Sequence, residues 1–127
     1  MNEQFTKWYP FENISDKYYY IDAIIDDFEG LSILVVDKST DTNVRLIWEC
    51  GVETYMCTDE TARSILWSDK QLTKWTFFEV LNSGYINWLV QQSCGIYKYD
   101  ELKHYFIAAA NCTLDIICTY EPTFMFD

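Results

Sequence analysis

From residue 18 onward, apolar and polar positions follow one another in short runs with the period of strands rather than helices. Tyr18 to Phe28 is aromatic and β-branched and ends in the acids Asp26, Asp27 and Glu29. Leu31 to Asp37 is a second apolar run, and the short Glu29-Gly30 connection predicts a hairpin between the two. Lys38 to Asn43 is polar throughout and reads as a loop. Val44 to Cys50 alternates as a third strand with one wet face would, and Glu53 to Cys57 predicts a short fourth. Thr58-Asp59-Glu60 has the form of a helix start, a capping hydroxyl followed by two acids at the positive end of the dipole, and that helix is expected to run to about Trp67.

Trp75 to Leu81 returns to strand-forming residues. Asn82 or Ser83 then caps a second helix whose apolar positions Tyr85, Ile86, Leu89 and Val90 follow helical spacing, with Gly95 where a C-terminal cap belongs. His104 to Ala109 and Thr113 to Tyr120 are the final strands, turning at Asn111, and Pro122 is expected to end the regular structure. Residues 1–17 read as an irregular lead-in with a short helical turn around Trp8. The order lacks the alternation of a doubly wound parallel sheet. The expected fold is α+β, a mainly antiparallel sheet with two helices packed on one face, residues 1–127 forming one domain.

Composition supports a packed core. The chain has 127 residues, half of them hydrophobic and 18% aromatic, and at this length a domain buries roughly two-thirds of its unfolded surface. No repeat or low-complexity tract divides it. No apolar run approaches the ~18 residues of a membrane span. The five cysteines, Cys50, Cys57, Cys94, Cys112 and Cys118, are odd in number, form no CxxC, and follow a polar N-terminus unlike an export signal. They fit free, mostly buried thiols in a reducing cytoplasm.

Charge changes the picture most. The formal net charge is −11. Residues 1–64 hold thirteen acids against five bases, whereas residues 65–127 hold seven against four. Such a field disfavours nucleic acid and anionic membrane and speeds encounter with a basic partner.

The search for chemistry yields little. The single histidine, His104, has no companion ligands at metal spacing, and no cofactor-binding loop is present because the glycines stand isolated. A nucleophile–base pair would need His104 beside Cys94, Cys57 or Ser83, and sequence alone places none of them there. Cys94 falls at the negative end of a helix, where a thiol is not activated, and His104 reads better as a structural histidine. Carboxylates are plentiful enough that a catalytic pair carries no signal. The aromatics exceed what one small core needs, so some, with the acids, can form a protein-binding surface.

One resemblance adds to this. Trp75 to Ser83 leading into Tyr85-Ile86-Asn87-Trp88-Leu89, then His104-Tyr105 and Glu121-Pro122-Thr123-Phe124, with Thr58-Asp59-Glu60 and Arg63 upstream, resembles the small cytoplasmic immunity proteins of bacterial polymorphic and contact-dependent toxin systems. It covers about half the chain. It implies an antitoxin with no activity of its own that binds one toxin domain. Such proteins share no catalytic residues, so none carries over.

The expectation is therefore a cytoplasmic protein, monomer or edge-paired homodimer, that occludes a basic active-site cleft with acids of the first half: Asp26, Asp27, Glu29, Glu49, Glu53, Asp59 and Glu60. The alternatives are a small hydrolase using His104 and a small-ligand or regulatory module with an aromatic-lined pocket.

Overall fold

The computed structural model describes residues 2–59 and 75–127. Among them, strands β1 (Gln4–Lys7), β2 (Tyr20–Asp27), β3 (Gly30–Asp37), β4 (Thr42–Trp48), β5 (Thr54–Asp59) and β6 (Phe77–Leu81) precede helix α1 (Gly84–Gln92), and β7 (Lys103–Ala108), β8 (Cys112–Cys118) and β9 (Thr123–Phe126) follow it. They form two sheets rather than one, a five-stranded sheet of order β1-β6-β7-β8-β5 and a four-stranded sheet of order β2-β3-β4-β9. Every pairing is antiparallel.

The reason for two sheets lies in which faces are apolar. In β3 and β4 only alternate residues are buried, Leu31, Ile33 and Val35 in one and Val44, Leu46 and Trp48 in the other. A sheet made of such strands has one dry face and needs a partner layer. The partner is the five-stranded sheet, whose Phe77, Tyr105, Ile107, Leu114 and Ile116 belong to the same buried cluster. Fully burying side chains of this size contributes about 1.5–3 kcal/mol each. β7 and β8 are buried on both faces, as strands with layers on either side must be. On the second face, Ile86 of α1 packs with Leu102 and Ile117.

Three expectations are corrected. The lead-in is irregular over residues 8–17, as expected, but has no helical turn at Trp8, and residues 4–7 form a strand. β1 pairs with β6 through Phe5↔Val80, and Trp8 lies in the core, stacked on Tyr105 at 4.1 Å. Thr58 and Asp59 do not start a helix, because β5 continues through them opposite Thr113 and Cys112; ladder hydrogen bonds there outweigh the capping signal. The remainder of that expected helix, residues 60–67 with Glu60, lies outside the described residues, among which α1 is the one α-helix. Pro122 does not end the structure, since β9 follows it and adds to the edge of β4 through Phe124↔Leu46 and Phe126↔Val44.

α1 ends as its sequence suggests, with one difference. Gly95 N–H reaches back to the Val90 carbonyl at 3.0 Å and Cys94 N–H to that of Gln91 at 3.0 Å, a Schellman termination. The first left-handed residue is Cys94, at φ 54°, with Gly95 following at φ 79°. No helix among the described residues is long and apolar enough to cross a membrane.

Candidate functional site: an acidic groove beside an exposed hairpin tip

The outer face of the four-stranded sheet carries the most distinctive surface. Register sets Asp27 beside Gly30, and Ile25, Ser32 and Ile47 in one row, with Glu49 just past the end of β4. The central strand thus contributes a glycine and a serine between larger neighbours on both sides. The missing bulk leaves a groove of about 410 Å³, bounded by Ile25 and Asp27 on one wall, Ile47 and Glu49 on the other, with Glu29 and Arg45 completing it. Its floor is of small residues, and its walls run from the apolar Ile25 and Ile47 to the acidic Asp27 and Glu49. Arg45 reaches away to Asp127 at 3.7 Å, which leaves the carboxylates of Asp27, Glu29 and Glu49 without a cation of the groove fully their own.

The adjoining β2–β3 turn consists of Phe28 and Glu29. Asp27 Oδ1 accepts the Glu29 N–H at 2.9 Å, an Asx turn that stiffens the tip. Gly30 is required at the next position. Its φ is +118°, and a Cβ there would lie 2.1 Å from the Trp48 carbonyl oxygen and 2.8 Å from that of Glu49. The hairpin is therefore pressed against the end of β4. Phe28, at its tip, is 97% exposed. A large aromatic held fully in water between two acids, on a stiff turn, contributes nothing to the core.

A second constellation is buried. His104 on β7 lies 2.7 Å from Asp115 Oδ1 on β8 through Nε2 and 2.7 Å from Ser83 Oγ through Nδ1. Ser83 Oγ also accepts the Ile86 N–H at 3.0 Å as the N-cap of α1, and Ser83 N–H donates to Tyr99 Oη at 2.7 Å. The tautomer that satisfies every atom puts the proton on Nε2, donating to Asp115, while the Ser83 hydroxyl donates to Nδ1. The residue types are those of a nucleophile–base–acid relay. The serine is fully buried, however, and its histidine and aspartate are 3% exposed. As placed, the chain of bonds clamps the start of α1 onto the five-stranded sheet.

Comparison with known proteins identifies no relative. No family model, curated protein or solved structure matches this chain.

The seven acids singled out from the sequence do not form one surface. Asp27, Glu29 and Glu49 meet at the groove. Asp26, opposite Leu31, points toward the other sheet, where burial and its carboxylate raise the Tyr55 hydroxyl above the ordinary range. Glu53 precedes β5, its N–H bonded to the Ile117 carbonyl at 2.9 Å, and burial raises its carboxyl. Asp59 ends β5 on the other sheet, opposite Cys112. Glu60 lies outside the described residues.

The thiols also differ from expectation. Cys50, Cys57 and Cys94 are exposed, Cys112 is intermediate and Cys118 alone is buried; burial pushes the Cys118 thiol up to about 11. Sequence reasoning missed Phe28, Gly30, Ser32 and Arg45. The available signal was a large aromatic in a turn position between Asp27 and Glu29, where polar residues belong.

Proposed function

We propose that the chain is an immunity-type protein that binds a basic toxin domain in the cytoplasm and occludes its active-site cleft, using the outer face of β2, β3 and β4. The observation that carries this reading is Phe28, 97% exposed beside a groove with an acidic end. Exposed aromatics on rigid supports serve as anchors at protein interfaces. The groove suits a lysine or arginine side chain, with its alkyl stem against Ile25 and Ile47 and its charge among Asp27, Glu29 and Glu49. The net charge of −11 steers a basic partner toward it. Asp26, Glu53 and Asp59 contribute to the field rather than to contact.

The test is binding to the toxin domain encoded beside this chain, followed by calorimetry. Phe28→Ala is expected to weaken the complex about 30-fold, the scale of an interface anchor, with the fold unchanged because the side chain touches no core. Unchanged affinity would remove Phe28 from the interface and the reading with it.

A hydrolase reading draws on Ser83–His104–Asp115, and the buried, cap-bonded serine weighs against it. Ser83→Ala tests it, since a hydrolase would lose turnover of its substrate while an immunity protein would keep toxin binding.

A further inference from the structure

The groove on the outer face of the four-stranded sheet is charged differently at its two ends, and the proposed function uses one of them. Asp27, Glu29 and Glu49 line it at the hairpin end, beside Gly30, and Arg45 lines it at the other. Register sets the distance between the ends. Arg45 pairs with Leu34, four positions along β3 from Gly30, a span of about 13 Å in an extended strand. Alternate residues of a strand share a face, so Gly30, Ser32 and Leu34 follow one another along the line of the groove. The central strand is slight at Gly30 and Ser32 and regains bulk at Leu34, beside Arg45. Ile25 and Ile47 flank Ser32 between the charged ends. The groove is thus a trough with carboxylates at one end, apolar walls in the middle and a guanidinium at the other. Its volume, about 410 Å³, falls in the range of small-ligand sites.

Both ends have unused capacity. Among the described residues no lysine or arginine pairs with Asp27, Glu29 or Glu49. Arg45 meets Asp127 at 3.7 Å, with the two side chains 30% and 36% exposed. An exposed pair of that length holds little energy, and a guanidinium has more donors than one such contact uses. Arg45 and Asp127 therefore present a cation and an anion side by side. That is the complement of the α-carboxylate and α-ammonium of an amino acid.

We propose that the groove binds a free basic amino acid, arginine or lysine. Its α-carboxylate meets Arg45 and its α-ammonium Asp127, its methylene stem lies between Ile25 and Ile47, and its side-chain cation sits among Asp27, Glu29 and Glu49. This deepens the proposed function, which places a basic side chain at the acidic end, by stating what the opposite end recognises. The order of charges selects the ligand. A cation without a carboxylate, such as agmatine, gains the acidic end and leaves Arg45 unused. A neutral or acidic amino acid reaches Arg45 and leaves the three carboxylates of the hairpin end unpaired.

Heteronuclear amide NMR of the full chain, titrated separately with L-arginine, agmatine and the tripeptide Gly-Gly-Arg, tests the inference. L-arginine is expected to shift the amides of Ile25, Ser32 and Ile47 saturably, with a dissociation constant of roughly 1 mM. Agmatine should bind about fivefold more weakly, the upper range of one exposed ion pair. Arg45→Gln should remove the difference between the two. Ser32→Leu fills the floor from the solvent side and should abolish binding of both, with its remaining amide shifts showing that the fold is intact. Agmatine binding as tightly as L-arginine to the wild type would overturn the inference while leaving the acidic end of the proposed function standing. The absence of saturable groove shifts at tens of millimolar L-arginine would overturn it too. So would tighter binding of the tripeptide, which would put a chain terminus in the groove in place of the free amino acid.

Discussion

Phe28 and Gly30, two residues apart, show how one position sets up another. Gly30 has no side chain because the Trp48 carbonyl lies where a Cβ would be, and this close approach fixes the tip on which Phe28 stands. Gly30→Ala combines a positive-φ penalty with a backbone clash and is expected to cost about 3 kcal/mol, read as a shift in the urea midpoint. A shift near zero would mean that the hairpin is not pressed against β4.

Asp37 offers a test by pH. Burial alone would raise its carboxyl. The Ser39 hydroxyl and amide, at 2.7 and 3.0 Å from Oδ1, with Thr40 and Ser15 nearby, outweigh burial and hold it below the ordinary aspartate range. A depressed native pKa means that its contribution is complete above the unfolded value, near 3.8, and is lost as pH falls through the lower native value. Stability of the wild type should therefore fall below about pH 4, and Asp37→Asn should flatten part of that fall. Glu53 runs the other way. Its native pKa is raised by burial, so ionisation costs stability as pH rises, and Glu53→Gln should be more stable than wild type at pH 7. Chemical denaturation at pH 3 to 7 reads both.

At the scale of elements, legibility in the sequence followed burial. The β2–β3 hairpin, the alternation of β4, the strands β7 and β8, and α1 with its Ser83 cap all impose a period or a capping residue that the chain displays. β1 and β9 could not be read in this way. Gln4–Lys7 holds one apolar residue, and all four residues of Thr123–Phe126 are exposed. Such edge strands form because β6 and β4 present unpaired backbone, a condition set far away in the chain. The same is true of Thr58-Asp59, where a local helix-start signal gives way to pairing with β8. The candidate groove was partly legible as acids and not as a shape, because its concavity comes from register placing Gly30 and Ser32 between larger neighbours.

The one histidine likewise found its partners only through topology, twenty-one residues from Ser83 and eleven from Asp115. That clamp ties α1 to β7 and β8. His104→Ala would remove one hydrogen-bond partner from the buried Asp115 carboxylate and one from the Ser83 cap, at an expected cost of about 3 kcal/mol by thermal or urea unfolding. A loss below about 0.5 kcal/mol, the range of ordinary surface substitutions, would contradict the clamp.

For the whole molecule, the two sheets and the helix divide the surface by charge. The outer face of the four-stranded sheet presents carboxylates beside an exposed aromatic, whereas residues 82–97, which include α1, carry no charge of their own. The most direct measurement of the proposed function is the association rate with a basic toxin domain encoded beside this chain as sodium chloride is raised, for wild type and for Asp27→Lys with Glu49→Lys together. The proposed function predicts a fast wild-type rate that falls steeply with salt, and a variant that associates at least tenfold more slowly at low salt with a flatter dependence. Equal rates and equal salt slopes for the two proteins would contradict it.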